Sequence, residues 1–301
     1  MKTATKDRLS YLHSPHSEPA ITVEPGEIFR VETELCTGSW LQKAEDRFDP
    51  NNRSPGNPTV VVKIAGALPG ERLAVEILDI KLGPLGYTGF QDTPNSVARL
   101  IYNRDWGLTT RTVRIENNEV LWSNRLRLPV KPMIGTLGTA PATESLSNTK
   151  AGPHGGNMDA QEVTVGSTVY LPVAVPGALL HIGDCHAIQG DGEINNGGGI
   201  ECRATVTLRT SRVQKPARTN CVRIENDTHI MAVACERSLE ESFYLASREL
   251  FCWLVDSYDF SEEEAYLLMG QIMEARCTQF VNPTRTYICK LPRKFLIPES
   301  P

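Results

Sequence analysis

Residues 67–80 read ALPGERLAVEILDI, and this stretch decides the fold class. Pro69-Gly70 is a turn pair. After it, Leu73, Val75 and Ile77 fall on one face and Glu76 on the other, the period-2 pattern of a half-buried strand. Similar short runs recur on either side: ITVEPGEIFRVET, PTVVVKI, TVRIENNEVLW and ATVTLRTSRV, separated by Gly, Pro, Asn and Asp. EVTVGSTVYLPV (162–173) reads as a strand pair turning at Gly166-Ser167. This spacing suggests a barrel or sandwich rather than alternating βαβ units.

Helical signals come late. Ser238-x-x-Glu241 and Ser261-x-x-Glu264 are capping boxes. After the first, Leu239, Phe243, Ala246, Leu250 and Trp253 form an apolar stripe at helical spacing. The expected fold is α+β, mainly β: a β-rich barrel or sandwich core over 1–215, with a smaller C-terminal α/β portion over 216–301 carrying two helices. The change from β-rich to helical is expected near residue 215.

The chain has 301 residues, ample to bury a core, and a net charge of −5. With no basic patch, nucleic acid is not an expected partner. The first twenty residues lack an apolar segment and no apolar stretch reaches spanning length, so the expectation is a cytoplasmic protein with no membrane partner. Its eight cysteines are scattered without a C-x-x-C pair and read as free thiols.

Residues 152–201 carry the chemistry. Three of the six histidines (His154, His181, His186) and 11 of the 23 glycines fall here, with Asp159, Glu162, Asp184, Asp191, Glu193 and Glu201. Mixed His/Asp/Glu sets bind divalent metals, and glycines let a ligand approach the main chain. In HGGNMD, the pair Gly155-Gly156 favours a loop turning His154 and Asp159 inward. A plain glycine turn with both residues in solvent is the alternative. Asp184 and His186 are two apart, so an extended segment puts them on one face. A metal would partner both; so would a simple Asp–His salt bridge. QGDGE, if extended, presents Gln189, Asp191 and Glu193 on one side, and Glu193 is the best general base. Glu201, at a strand entrance, reads equally as a second ligand or an edge charge. Cys185 and His181 read as packing residues, His13 and His16 as an ordinary loop, and His229 as structural. No G-x-S-x-G elbow, Walker A loop or H-E-x-x-H occurs, which leaves metal-assisted water attack as the simplest hydrolytic chemistry.

Four segments in order, PMIGTLGTAPA (132–142), GPHGGNMD (152–159), LPVAVPGALLHIGDCHAIQGDGE (171–193) and GIE (199–201), resemble the acetamidase/formamidase family. QFVNP (279–283), following a helix with AYLL, resembles its C-terminal segment. The resemblance implies hydrolysis of formamide- or acetamide-like amides, a divalent metal (zinc ahead of calcium) and a homo-oligomer, dimer or higher. Residue by residue it carries over to His154, Asn157, Asp159, Asp184, His186 and Glu193. The chain departs from the family at ETELCTGSWLQ, with Cys36 at or near an acidic position, and at NPTVVVKI. Both lie in the segment expected to help close the pocket.

The resulting expectation is a metal-dependent amidohydrolase. Asp184, His186 and Asp159 hold the metal, with His154 an alternative to Asp159. Glu193 moves the proton, Asn157 or glycine N–H groups stabilise the oxyanion, and His154 assists. Gly155, Gly156, Gln189 and Glu201 face the substrate. Two rivals share the scaffold: a non-catalytic metal- or small-molecule-binding homologue, and an amidohydrolase acting on a larger or cyclic amide.

Overall fold

The computed structural model describes residues 1–91, 97–102, 107–195, 197–213 and 221–296. The expected change of structure near residue 215 lies outside the described residues. The architecture is mainly β, a curled and largely antiparallel sheet forming a half-barrel. The ALPGERLAVEILDI stretch opens its longest strand, Arg72–Gln91. Leu73, Val75 and Ile77 are buried as the alternation requires. Along most of its length this strand pairs with Glu201–Val213, from Tyr87 opposite Glu201 to Arg72 opposite Val213. Glu201–Val213 pairs in turn with Ile28–Glu32.

Two strands behind the site are covered on both faces. Thr59–Ile64 and Leu180–His186 pair antiparallel, and every residue of the second is buried. A strand without a solvent face reads as an unbroken apolar run, which is why LLHIG, leading into and opening this strand, shows no alternation. Met133–Gly138 closes the other side of Leu180–His186. The main core between these strands includes Phe29, Val31, Val60, Ile64, Leu73, Ile134, Leu137 and Leu180. In TVRIENNEVLW, Asn117 and Asn118 take φ of 53° and 61° and join Leu108–Glu116 to Glu119–Leu121. A two-residue hairpin turn of this hand needs positive φ at both positions, which Asn tolerates.

EVTVGSTVYLPV departs from expectation: only Thr168–Pro172 is a strand, and the residues before it form turns. Val163 is buried there in a turn rather than a strand, its carbonyl accepting the Ile134 N–H at 2.9 Å. Both expected helices are present, Leu239–Ser257 and Glu262–Ile272, with a short helix at Val97–Tyr102 in addition. Ser261 and Glu264 make both bonds of a capping box. Ser238 accepts from the Glu241 N–H, without the return bond. No helix among the described residues is long and apolar enough to cross a membrane.

The helical layer packs Ala246, Leu250, Trp253 and Leu254 onto Ile230, Ala232 and Leu291 of the C-terminal strands. It is tied to the long strand by one fully buried acid. Glu249 receives Arg72 at 3.1 Å, Arg223 at 2.5 Å and the Cys221 N–H at 3.2 Å. Arg223 also lies 4.8 Å over the Trp253 ring. Removing one partner of a buried charge network strands the rest. Glu249→Ala should therefore lose about 3–5 kcal/mol in urea unfolding, and Glu249→Gln, which can still accept, should lose less; equal losses would mean that the acid only fills space.

Candidate active site

Leu180–His186 runs regularly until Gly183, then bends. Asp184 takes φ of +56°, and the pairing with Met133–Gly138 steps from Thr136/Gly183 to Ile134/Cys185. The bend aims Asp184 and His186 into the same interior space, with Nε2 of His186 3.6 Å from an Asp184 oxygen. The next strand brings Glu201 into register opposite His186, its Oε2 at 3.5 Å. Asp159 arrives from the glycine-rich loop at 3.8 Å. Glu193 completes a set with Asp159 and His186 whose ligand atoms all lie within 4.8 Å of one another. Cys36, Asp184 and Glu201 form an adjacent set by the same measure.

The backbone is strained to make this convergence. Asn57, Asp159, Asp184 and Glu193 are four of the nine non-glycine residues with positive φ among the described residues. Such conformations cost roughly 1–3 kcal/mol each and cluster at functional sites. Gly135 is equally constrained: a Cβ there would sit 2.5 Å from Asp159 Oδ1 and 2.8 Å from Asp184 Oδ2.

A polar frame orients the acids. Asn57 Nδ2 donates to Asp184 Oδ2 at 2.9 Å and to Asn157 Oδ1 at 2.8 Å. Thr136 donates to Asn157 Oδ1 at 2.6 Å, so the Asn157 amide is held in one orientation. Asn282 Nδ2 donates to Asp159 Oδ2 at 2.6 Å. Gln189 donates to the carbonyls of Asp159 and Thr278. Asn57 and Asn282 were invisible as site residues in the sequence. Each stands in an Asn-Pro pair whose local reading is a turn, although Asn57 lies in the divergent 33–60 segment and Asn282 in QFVNP. That segment does wall the site, since Cys36 Sγ lies 3.3 Å from the Tyr87 hydroxyl beside Asp184 and Glu201.

Four buried carboxylates surround one imidazole, and the electrostatics follow. Burial first, and the Asp184 charge second, push Asp159 up to about 6. Burial and neighbouring carboxylates hold Glu193 and Glu201 well above the usual range. For His186, burial opposes the charged ring, but Glu201, Asp184 and Asp159 outweigh it and raise it to about 10. For Asp184, burial works upward, yet the adjacent His186 brings the net shift below the ordinary value. Burial and the acids also push the Cys36 thiol up. Asp159 Oδ1, Asp184 Oδ1, both His186 nitrogens, Glu193 Oε2 and Glu201 Oε2 have no hydrogen-bond partner. Leaving such groups buried and unpaired is costly. The donor set, mostly carboxylate with one imidazole, fits a divalent cation.

The remaining expected residues separate. His154 lies with His13 and His181, apart from the acids, at ring-centroid distances of 4.9 Å (His13–His154) and 4.2 Å (His13–His181). Gly155 and Gly156 are crowded by backbone: a Cβ on either would come within 2.4 Å of a carbonyl, of Leu137 and Lys150 respectively. QGDGE is a turn, not an extended run. Glu193 therefore points inward while Asp191 points out, to Arg276 at 2.8 Å. Cys185 is buried in the core, as expected. All eight cysteines are free thiols. A cavity of about 340 Å³ reaches Glu193 and Gln189 and is walled by Trp122, Leu128, Ile188, Ile194 and Ile200.

The chain belongs to the acetamidase/formamidase family, whose model matches residues 3–153 and 149–230. It is similar to an acetamidase of Mycolicibacterium smegmatis, 28% identical over 264 residues, covering 66% of this chain and 64% of that protein. The chain thus spans less than two thirds of the curated relatives it matches first, 60% and 64% of their lengths. Among solved structures, the acetamidase of Bacillus halodurans superposes with a TM-score of 0.90 at 32% identity, covering 97% of this chain and 98% of that one. The Yersinia enterocolitica acetamidase gives 0.88 at 30%, covering 99% and 93%. A γ-lactamase of Delftia acidovorans shares the fold, with a TM-score of 0.63 at 20% identity over 100% and 95%.

Gly135→Ala should displace Asp159 or Asp184 and lower metal content by tenfold or more, on the order of what outer-shell changes cost, with the fold kept; elemental analysis and circular dichroism check both. A pH series on chelator-stripped protein tests the carboxylates. Asp159 is raised, so its contribution to stability is fully present below 3.8 and lost as pH rises through about 6. His186 acts the same way, from 6.5 up through about 10, while the lowered Asp184 acts oppositely, at the acid end. The stripped protein's melting temperature should fall between pH 4 and 7, and a divalent cation should restore it at pH 7. A melting temperature that rises over that range, with no metal effect, would contradict the assignment.

Proposed function

We propose that this protein hydrolyses the C–N bond of a small carboxamide to a carboxylate and ammonia, at the Asp159/Asp184/His186/Glu193/Glu201 cluster. One observation carries the reading. Five unpartnered buried polar atoms (Asp159 Oδ1, Asp184 Oδ1, His186 Nε2, Glu193 Oε2 and Glu201 Oε2) converge in the cluster, and Glu193 belongs both to it and to the cavity wall. Asp159, Asp184 and His186 would hold the cation, with Glu201 in register beside His186. Imidazole participation favours zinc over calcium. When bound, the cation would polarise the amide carbonyl and acidify water.

The chain's own groups supply the rest. Glu193, buried and prone to hold a proton, takes one from the attacking water and passes it to the departing nitrogen. Asn157, oriented by Thr136 and Asn57, offers its amide to the developing oxyanion. Asn57, Asn282 and Gln189 keep the acids in place. Family membership adds a homo-oligomeric, cytoplasmic enzyme to this reading.

A second reading has its own support. A cavity of about 340 Å³ walled by Trp122, Leu128 and Ile194 falls in the range of pockets that bind molecules much larger than formamide. It favours an amide with an apolar acyl group.

Ammonia release from metal-loaded protein should decide, across formamide, acetamide, longer aliphatic amides, benzamide and a lactam. Glu193→Gln should lower kcat by roughly 10²–10⁴ while keeping the metal. His186→Ala should lose both. Release from no amide at all would overturn the hydrolytic reading in favour of a binding homologue, and release only from the larger amides would select the second reading.

A further inference from the structure

The fold carries one thiol to the edge of the acid cluster. The Cys36 sulfur, an oxygen of Asp184 and an oxygen of Glu201 all lie within 4.8 Å of one another. That set shares no residue with Asp159, His186 and Glu193, the other convergent set among the described residues. Cys36, Asp184 and Glu201 are 6%, 3% and 4% exposed, so water does not serve them. Asp184 Oδ1 and Glu201 Oε2 have no hydrogen-bond partner.

The position of the sulfur is fixed from several sides. The Cys36 carbonyl accepts the Asn57 N–H at 2.8 Å, and the Asn57 side chain donates to Asp184 Oδ2 at 2.9 Å. One residue thus ties the Cys36 backbone to the acid. Tyr87 stands opposite Glu201 in the sheet register, and its hydroxyl is 3.3 Å from Cys36 Sγ. Two residues before Cys36, buried Glu34 accepts from Lys6, Ser39, Arg203 and the Leu35 N–H, which pins the segment. Leu35 and Leu41 pack with Cys36 and Tyr87 on the apolar side. A thiol that only filled this apolar cluster would leave the two acids unanswered. As a neutral group it is a weak donor with one proton and cannot satisfy both.

One cation at Asp159, Asp184 and His186 does not complete the charge account either. It brings two positive charges to four buried carboxylates, and Glu201 lies toward the sulfur. We propose that Cys36, as a thiolate, joins Asp184 and Glu201 in holding a second divalent cation, and that the sulfur makes this position selective for a zinc-type ion. Asp184 is shared between the two positions. The inference rests on the metal reading of the cluster given above and is independent of which amide is hydrolysed. Sulfur suits zinc or cobalt and disfavours calcium and magnesium, which take oxygen ligands. Only the thiolate ligates, so binding releases the thiol proton to solvent. A thiolate has no proton to give, and the contact with Tyr87 then becomes a bond donated by the Tyr87 hydroxyl. Outer hydrogen bonds of this kind orient metal ligands.

The test uses the full chain, stripped with chelator under reducing conditions and titrated with Co²⁺. Two equivalents should bind, with the near-ultraviolet sulfur-to-cobalt absorption of one thiolate ligand. Cys36→Ser should lose that band and one equivalent, with an unchanged circular dichroism spectrum. Cys36→Asp, which keeps an anionic ligand in place, should hold two equivalents without the band. The other seven cysteines serve as the internal control. A band that survives Cys36→Ser would overturn the proposal, because another cysteine would then be the ligand. A single equivalent in the unmodified chain would overturn it as well, with or without the band. Failure to bind any cation would overturn the metal reading of the whole cluster, and the proposal with it.

Discussion

The constraint on which the structure turns is the burial of four carboxylates around a single imidazole. Like charges in a low-dielectric interior are tolerated only with protons or a cation between them. His186 supplies one positive charge and cannot offset four acids. The scaffold nevertheless forces them together, with positive φ at Asp159, Asp184 and Glu193 and a glycine at 135 where any side chain would overlap the acids. Strain of this kind persists only where surrounding structure holds it. Here that structure is the doubly covered strand Leu180–His186, clamped by Thr59–Ile64 on one side and Met133–Gly138 on the other.

That strand also divides the molecule's polar interior by chemistry. Its first half presents His181 to two other neutral rings; its second half, past the bend at Asp184, presents an acid and a histidine to other acids. Amides from distant turns, Asn57 and Asn282, fix the acid end, and Thr59 with Asn148 fixes the imidazole end. The helical layer stands apart from both, held to the long strand by Glu249 and its two arginines.

Much of this was legible locally. Alternation in ALPGERLAVEILDI and the Ser261 capping box are short-range features, and each appears as read. Asp184 and His186 were recognisable because two residues along one strand share a face. Glu193 was recognisable as an acid among glycines. The same local logic failed in QGDGE, where the turn and the pull of Arg276 send Asp191 outward. It failed at EVTV, where a buried valine sits in a turn. Ser238 matched the capping-box spacing, but its partner makes only half of the pair.

By itself the sequence determined the strand periodicity, the helix starts and the supply of acids, imidazoles and glycines in one run, because these depend on neighbours within a few residues. Only the tertiary structure decided which of those groups meet. His13 and His154 are 141 positions apart and Asn57 and Asp184 are 127 apart, yet each pair is in direct contact. Sheet pairing sets such contacts, and no local pattern records the register of strands so distant along the chain.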